Sequence, residues 1–288
     1  MKPAAFAYHR PDSVEQALAL LAAGGGQAKL LAGGQSLGPM LNMRLATPAA
    51  LIDLNDLSEL AYIRDAGDAL EIGALTRHEQ VAQSALVQAR CPLLAQAAQS
   101  IGHYAIRQRG TLGGSLAHAD PAAQLALVAV TLGARIQVIS ARGRREVPAT
   151  EFFVSAMSTA LASDEMILSV RLPKQGAGEG SSFQLFNRRH GDFALVAVAA
   201  CVSMKQDCVA RVRLGVSGVA PVPSNCEAIA GAFLDRRADA AWCTELAQAV
   251  RAAVKPEEDE RIPALYRQEL VQTLVQRALA RAVDCARG

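Results

Sequence analysis

The sequence predicts a mixed α/β (α+β) fold, with two N-terminal lobes followed by a C-terminal lobe holding a three-stranded antiparallel sheet and helices. Three observations carry this expectation. Short apolar runs that read as buried strands alternate with capped helices through the first half of the chain. Around "KQGAGEGSS" (Lys174 to Ser182) the composition shifts to Gly, Ser and charge, which is linker chemistry. Beyond it come three strand-like runs and then a helical tail with apolar positions at a period of 3.6. The expected division is a first domain over residues 1–176, with lobes at about 1–58 and 59–176, and a second over 177–288.

The elements follow in order. Ser13 and Gln16 form a capping box, Val14, Ala17, Leu18 and Leu21 fall at helical spacing, and Gly24 to Gly26 end the run. "AKLLAGG" reads as a short strand entering a glycine turn, and "ALIDLNDL" (Ala50 to Leu57) as another, giving a compact β-α-β lobe. "ALEIGAL" (Ala69 to Leu75) is a strand, Thr76 and Glu79 open a helix, and Pro92 starts a second that ends near Gly102. Asp120 is an N-cap candidate with Pro121 at the first helical position, and Gly133 closes that helix. "ARIQVIS", the exposed turn "ARGRR" and "MILSVRLP" add a hairpin and a strand. "FQLFNRR", "FALVAVAACVSM" and "CVARVRLGVSG" are the three antiparallel strands, and the chain is helical from about Ser224.

Composition narrows the function. The 288 residues are 51% hydrophobic and 19% charged, which is globular rather than disordered. A net charge of +2 without a basic, aromatic-interleaved stripe argues against nucleic acid. Pro3, His9, Arg10 and Asp12 come too early for a secretory signal, and no apolar run reaches the length of a membrane span. The six cysteines form no C-x-x-C pair and no zinc or iron–sulfur spacing, so reduced thiols in a cytoplasmic protein are expected and no metal site is. No Ser/His/Asp set or acid/base dyad stands out, and no catalytic residue is assigned.

Two glycine turns carry the chemistry. "LLAGGQSLGPML" (Leu30 to Leu41) and "RGTLGGSLAHADPAAQ" (Arg109 to Gln124) each place adjacent glycines beside a hydroxyl residue ahead of helical sequence. Backbone N–H groups in such turns approach an anion without interference from a Cβ, and a following helix adds its dipole. Gly33, Gly34, Gln35 and Ser36 offer donors in the first turn, and Thr111, Gly113, Gly114 and Ser115 in the second. Neither matches a Walker A loop or G-x-G-x-x-G. Two turns cradling one diphosphate from two sides suit a dinucleotide held between lobes.

The stretches "AGGQSLGPMLNMRLATPAALIDLNDL" and "IRQRGTLGGSLAHADPAAQLALVAVTLGA" resemble the two FAD-diphosphate motifs of the flavoprotein (medium) subunit of molybdenum hydroxylases. This is the carbon monoxide dehydrogenase family, to which the flavin domain of xanthine dehydrogenase is related. "FAYHRPDSVEQALALLA", "EMILSVRLP", "RRHGDFALVAVA" and "LGVSGVAPVP" are similar to family segments too, so the resemblance spans essentially the whole chain. It implies a vanillyl-alcohol-oxidase (PCMH) type fold with FAD between the N-terminal lobes. It also implies a large molybdopterin subunit and a small subunit with two [2Fe–2S] clusters, assembled as a dimer of heterotrimers, and an external electron acceptor.

By resemblance, Ala32, Gly33, Gly34, Gln35, Ser36 and Leu37 match the first diphosphate loop, and Thr111, Gly113, Gly114 and Ser115 the second. Asp120 matches an acidic position after the second loop, which equally suits a helix cap. Ile167 matches an aliphatic position near the flavin. Phe193, with Asp192, lies in the segment that approaches the isoalloxazine, where some members have tyrosine. Gln124 stands where relatives commonly have a carboxylate. Arg107 and Arg109, flanking the second loop, are candidates for phosphate or subunit contacts on charge grounds. His118, Arg188, Arg189 and His190 read as ordinary loop and surface residues. The alternatives are a free-standing flavoprotein oxidase or reductase of the same fold, and a flavin-less scaffold subunit.

Overall fold

The computed structural model describes residues 1–288. Strands β1 (Ala7–His9), β2 (Ala28–Leu31) and β3 (Ala50–Asp53) make a parallel sheet in the order β1-β3-β2. Helix α1 (Val14–Ala23) bridges the first two. The Ser13 hydroxyl accepts from the Gln16 amide at 3.2 Å, while the Gln16 side chain reaches back to the Asp12 amide at 2.8 Å. Ala17, Leu18 and Leu21 turn inward onto Ile52, Leu54 and Leu57, forming the first core. Helix α2 (Leu37–Asn42) follows the first glycine turn.

The second lobe holds an antiparallel sheet in the order β4-β5-β10-β6-β7. Its strands are β4 (Ile63–Ala66), β5 (Ala69–Gly73), β6 (Arg135–Ser140), β7 (Gly143–Pro148) and β10 (Met166–Pro173). The small hairpin β8 (Phe153–Ser155) and β9 (Ser158–Thr159) precedes β10. Helices α3 (His78–Gln83), α4 (Ala85–Arg90), α5 (Pro92–Gln99), α6 (Tyr104–Arg107), α7 (Leu112–His118) and α8 (Gln124–Leu132) lie between β5 and β6, and α9 (Ala149–Phe152) follows β7.

Three local expectations are corrected here. Thr76 does not cap α3; its hydroxyl donates to the Tyr62 carbonyl, and Arg77 is the N-cap, its amide bonded to Gln80. The helix expected from Pro121 starts instead at Gln124, because Ala119 adopts a left-handed φ of 51° and Asp120 caps a turn through the Ala122 amide at 2.8 Å. The second glycine stretch is itself the start of a helix, α7.

The C-terminal lobe is a sheet of β11 (Glu179–Phe186), β12 (Val196–Lys205), β13 (Cys208–Ser217) and the two-residue β14 (Ser224–Asn225), in that order and antiparallel. The strand expected from Phe183 thus begins four residues earlier, inside the stretch read as linker. Helices α10 (Glu227–Gly231), α11 (Ala240–Ala253) and α12 (Ala264–Arg287) complete the lobe. Strand alternation splits β12 between two cores. Ala197, Ala199 and Cys201 face the middle core, whereas Val196, Val198, Ala200 and Val202 face the one built with α11 and α12. Helix α8 is buried along its whole length, and β13 approaches it so closely that a Cβ on Gly215 would lie 2.1 Å from Thr131 Oγ1. Because β12 and α8 share one core, the second lobe and the C-terminal sheet are packed together.

Candidate functional site

The two glycine segments meet where β2 leaves the first sheet. Gly33 sits so tightly on the chain entering α7 that a Cβ would be 2.1 Å from the Arg109 carbonyl oxygen and 2.9 Å from Gly110 Cα. Gly114 faces back, its absent Cβ 3.8 Å from Ala32. Only hydrogen at Gly33 lets the two backbones close on each other, while Gly114 and Ala32 meet at ordinary van der Waals distance.

In the first segment, Gly34 takes a φ of 69°, and the chain turns into α2 with Ser36 as an N-cap whose hydroxyl makes no capping bond. The backbone amides of Ala32, Gly33, Gly34, Gln35, Ser36 and Leu37 have no hydrogen-bond partner within the chain. Such a run of free, partly exposed N–H groups is the donor chemistry that anion-binding concavities use. The six residues expected in the first loop thus stand together with their backbone amides unpaired.

The second segment differs. Its amides are spent: Leu112 donates to the Thr76 carbonyl at 3.0 Å, Gly113 to Ala74 at 2.8 Å, Gly114 to Thr111 Oγ1 at 3.1 Å and Ser115 to the Thr111 carbonyl at 3.0 Å. The expectation that Gly113 and Gly114 supply donors is overturned by those bonds. Gly113 is glycine for packing, since a Cβ would lie 2.6 Å from the Ala74 Cβ. What this segment gives the site is the positive end of α7 and the half-buried Ser115 side chain.

The remaining expected residues surround this pair unevenly. Asp120 follows α7 and caps its turn, and Gln124, 7% exposed, opens α8. Ile167 is buried at a bulge in β10 that frees the neighbouring Leu168 carbonyl to accept from the Ala74 amide, the residue backing Gly113. Phe193 stands apart, 71% exposed on the loop from β11 to β12. That loop touches α6, where Gly191 packs against His103, and Tyr104 and Ile106 are also exposed. Arg107 is not free for phosphate: its Nε is paired with Glu79 at 2.7 Å, both side chains about five-sixths buried, and its Nη1 donates to the Ile101 carbonyl. Arg188 donates to the Arg261 carbonyl on the surface, and Arg142 and Arg145 of "ARGRR" pair with Asp164 and Glu165 respectively.

Sequence reasoning missed the residues beneath the site. Asp53 ends β3, accepts from the Tyr8 hydroxyl at 2.5 Å and from the Asn55 amide at 3.0 Å, and is held below the usual carboxylate range by these bonds, against its own desolvation. Asn55 Nδ2 donates to the Ala32 carbonyl at 2.9 Å, and its Oδ1 accepts from Arg77 Nη2 at 2.7 Å. Arg77 Nη1 donates to the Arg109 carbonyl at 2.6 Å. His78 is buried with Nε2 2.9 Å from the Thr111 carbonyl; a carbonyl only accepts, so Nε2 carries the proton. Burial, aided by the charges of Arg107 and Arg77, pushes its pKa down to about 4, and Nδ1 has no partner. The signal in the sequence was "ALTRHEQ", one arginine and one histidine directly after a buried strand, and it looked like a helix start.

Comparisons with known proteins place the whole chain in one family. A model of the FAD-binding domain in molybdopterin dehydrogenase matches residues 4–175, and one of the carbon monoxide dehydrogenase flavoprotein C-terminal domain matches residues 181–282. The chain is 39% identical over 288 residues to the 6-hydroxypseudooxynicotine dehydrogenase complex subunit alpha of Paenarthrobacter nicotinovorans, covering 100% of this chain and 97% of that one. It is 37% identical over 279 residues to the carbon monoxide dehydrogenase medium chain of Hydrogenophaga pseudoflava, covering 97% of each. A solved structure of carbon monoxide dehydrogenase from that organism, lacking the Mo-pyranopterin moiety of its cofactor, superposes with a TM-score of 0.94 at 38% identity over 98% of both chains. The amide run, the closed glycine pair and these full-length matches lead to one assignment: the chain belongs to the family of FAD-binding medium subunits of molybdenum hydroxylases, that of carbon monoxide dehydrogenase and xanthine dehydrogenase.

Proposed function

We propose that this chain is the FAD-carrying electron-transfer subunit of a molybdenum-containing dehydrogenase. In that complex a large subunit binds molybdopterin and hydroxylates the substrate. A small subunit passes electrons through [2Fe–2S] clusters to FAD on this chain, from which they leave to an external acceptor. The working assembly is a dimer of such heterotrimers in the cytoplasm, a compartment in keeping with six unpaired cysteines. Bound flavin supplies the ability to take electrons singly and release them in pairs.

The protein's part is to bind and orient. The observation that carries this reading is the run of free amides from Ala32 to Leu37, a donor set suited to an anionic diphosphate. The chain entering α7 abuts this run at the Gly33 contact, and Ser115 adds a hydroxyl in the first turn of that helix. Gln124, Asp120 and Ile167 extend the cradle along the second lobe, and Phe193 covers the ring from the C-terminal lobe. The two-domain division at residues 176 and 177 belongs to the same reading, the cradle lying in the first domain and the covering loop in the second.

The test is an absorbance spectrum and flavin extraction on the chain purified with and without co-expressed partner subunits. FAD in the extract, lost in Gly34→Val, is the expected outcome. A folded but colourless chain within the assembled complex would leave the flavin-less scaffold standing. A chain that turns over a small substrate without partners would favour the free-standing flavoprotein.

A further inference from the structure

The Asn55 and Arg77 side chains join the two glycine segments by an unbroken series of bonds. Ala32, the residue before the Gly33–Gly34 pair, gives its carbonyl to Asn55 Nδ2 at 2.9 Å. Asn55 Oδ1 accepts from Arg77 Nη2 at 2.7 Å, and Arg77 Nη1 ends on the Arg109 carbonyl at 2.6 Å. That carbonyl is the atom against which Gly33 packs. Asp53 orients the relay from behind, since it accepts from both the Asn55 side chain and the Asn55 amide.

Arg77 has no ion-pair partner, although it is half-buried and close to the charge of Arg109. A guanidinium placed so, with the Asp53 carboxylate near enough to be felt but not in direct contact, costs desolvation that no direct ion pair returns. Its planar fork reaches two acceptors in fixed directions, which a flexible ammonium cannot do. We infer that Asn55 and Arg77 are positioning residues for the dinucleotide diphosphate: as a two-link strap they fix the distance between the amide run of the first segment and the helix terminus of the second. The inference rests on the FAD site proposed above. Neither residue touches the diphosphate-binding amides except through Ala32 and Arg109.

Links in series make a sharp prediction, because breaking either one releases the whole strap. In the full-length chain co-expressed with its partners and then stripped of flavin, FAD affinity is read by flavin fluorescence on titration. Asn55→Ala and Arg77→Gln are each expected to weaken FAD by about tenfold, and the double variant to stay within about twofold of either single one. Arg77→Lys, which keeps charge but not the fork, is expected to lose as much as Arg77→Gln. Melting curves of the flavin-free proteins check that each is folded, and if Arg77→Gln is not, the Arg77→Lys and Asn55→Ala pair serves the same cycle. Losses that multiply in the double variant, wild-type affinity in either single one, or full rescue by lysine would each overturn the strap. Wild-type chain that binds no FAD overturns the site itself, a separate failure from variants that match a wild type that binds.

Discussion

Gly33–Gly34 and Gly113–Gly114 are both glycine pairs followed by a polar residue, yet their backbones are used in opposite ways. The first pair leaves six consecutive amides free and turns through a left-handed φ. The second is built into α7, and its amides bond to Thr76, Ala74 and Thr111. One segment is a turn with unclaimed donors and the other a hydrogen-bonded abutment that the turn leans on. Glycine is needed in both, for close approach at Gly33 and a left-handed φ at Gly34 in one case and for close packing at Gly113 in the other.

Substitutions can break this contrast, and the largest effect is expected at the contact itself. Gly33→Ala puts a methyl 2.1 Å from a carbonyl that belongs to backbone and cannot swing aside. It should cost about 3 kcal/mol or more and release the flavin, measured as a fall in denaturant midpoint together with flavin content. Should Gly33→Ala retain both, the two segments are not held together as described.

Acid should loosen the abutment next. His78 titrates near pH 6.5 when unfolded but at about 4 when folded, so the unfolded chain binds the proton first as pH falls. Its stability contribution is complete above pH 6.5 and is lost between 6.5 and 4, amounting to roughly 3 kcal/mol. Denaturant midpoints at pH 7 and pH 4.5 should therefore differ less in His78→Gln than in the wild type. Equal slopes would mean the ring is not held neutral.

Smaller effects sharpen the division of labour. Gly34→Ala forces a side chain into the left-handed region, costing about 1–2 kcal/mol, and should weaken FAD more than it lowers the melting temperature. Thr111→Ala removes the cap on the Gly114 amide and should cost about 1 kcal/mol, lowering the melting temperature while the flavin stays bound. If flavin loss were the greater effect in Thr111→Ala, the abutment would be acting as a ligand-facing turn after all.

Much of the architecture was legible from residue order. The caps at Ser13 and Pro92, the strands at Ala28, Ala50, Ala69 and Met166, and the three long C-terminal strands all followed from local chemistry. Boundaries failed where distant parts of the chain decided them. Thr76 bonds to Tyr62 rather than capping a helix, Ala119 takes a left-handed turn that delays α8, and Glu179 joins β11 because β12 is there to pair with it.

By itself the sequence determined which segments are glycine-rich and which helices and strands flank them, and it raised the expectation of an anion site at Ala32 to Leu37. Tertiary structure alone decided which amides remain free. An N–H group is a binding donor only if no acceptor elsewhere in the fold claims it, and Thr76 and Ala74, nearly forty residues upstream, claim those of Leu112 and Gly113 while the Thr111 hydroxyl claims that of Gly114. The same holds for Asn55 and Arg77, ordinary polar residues in the chain that acquire a role only because folding sets Ala32 and Arg109 within their reach.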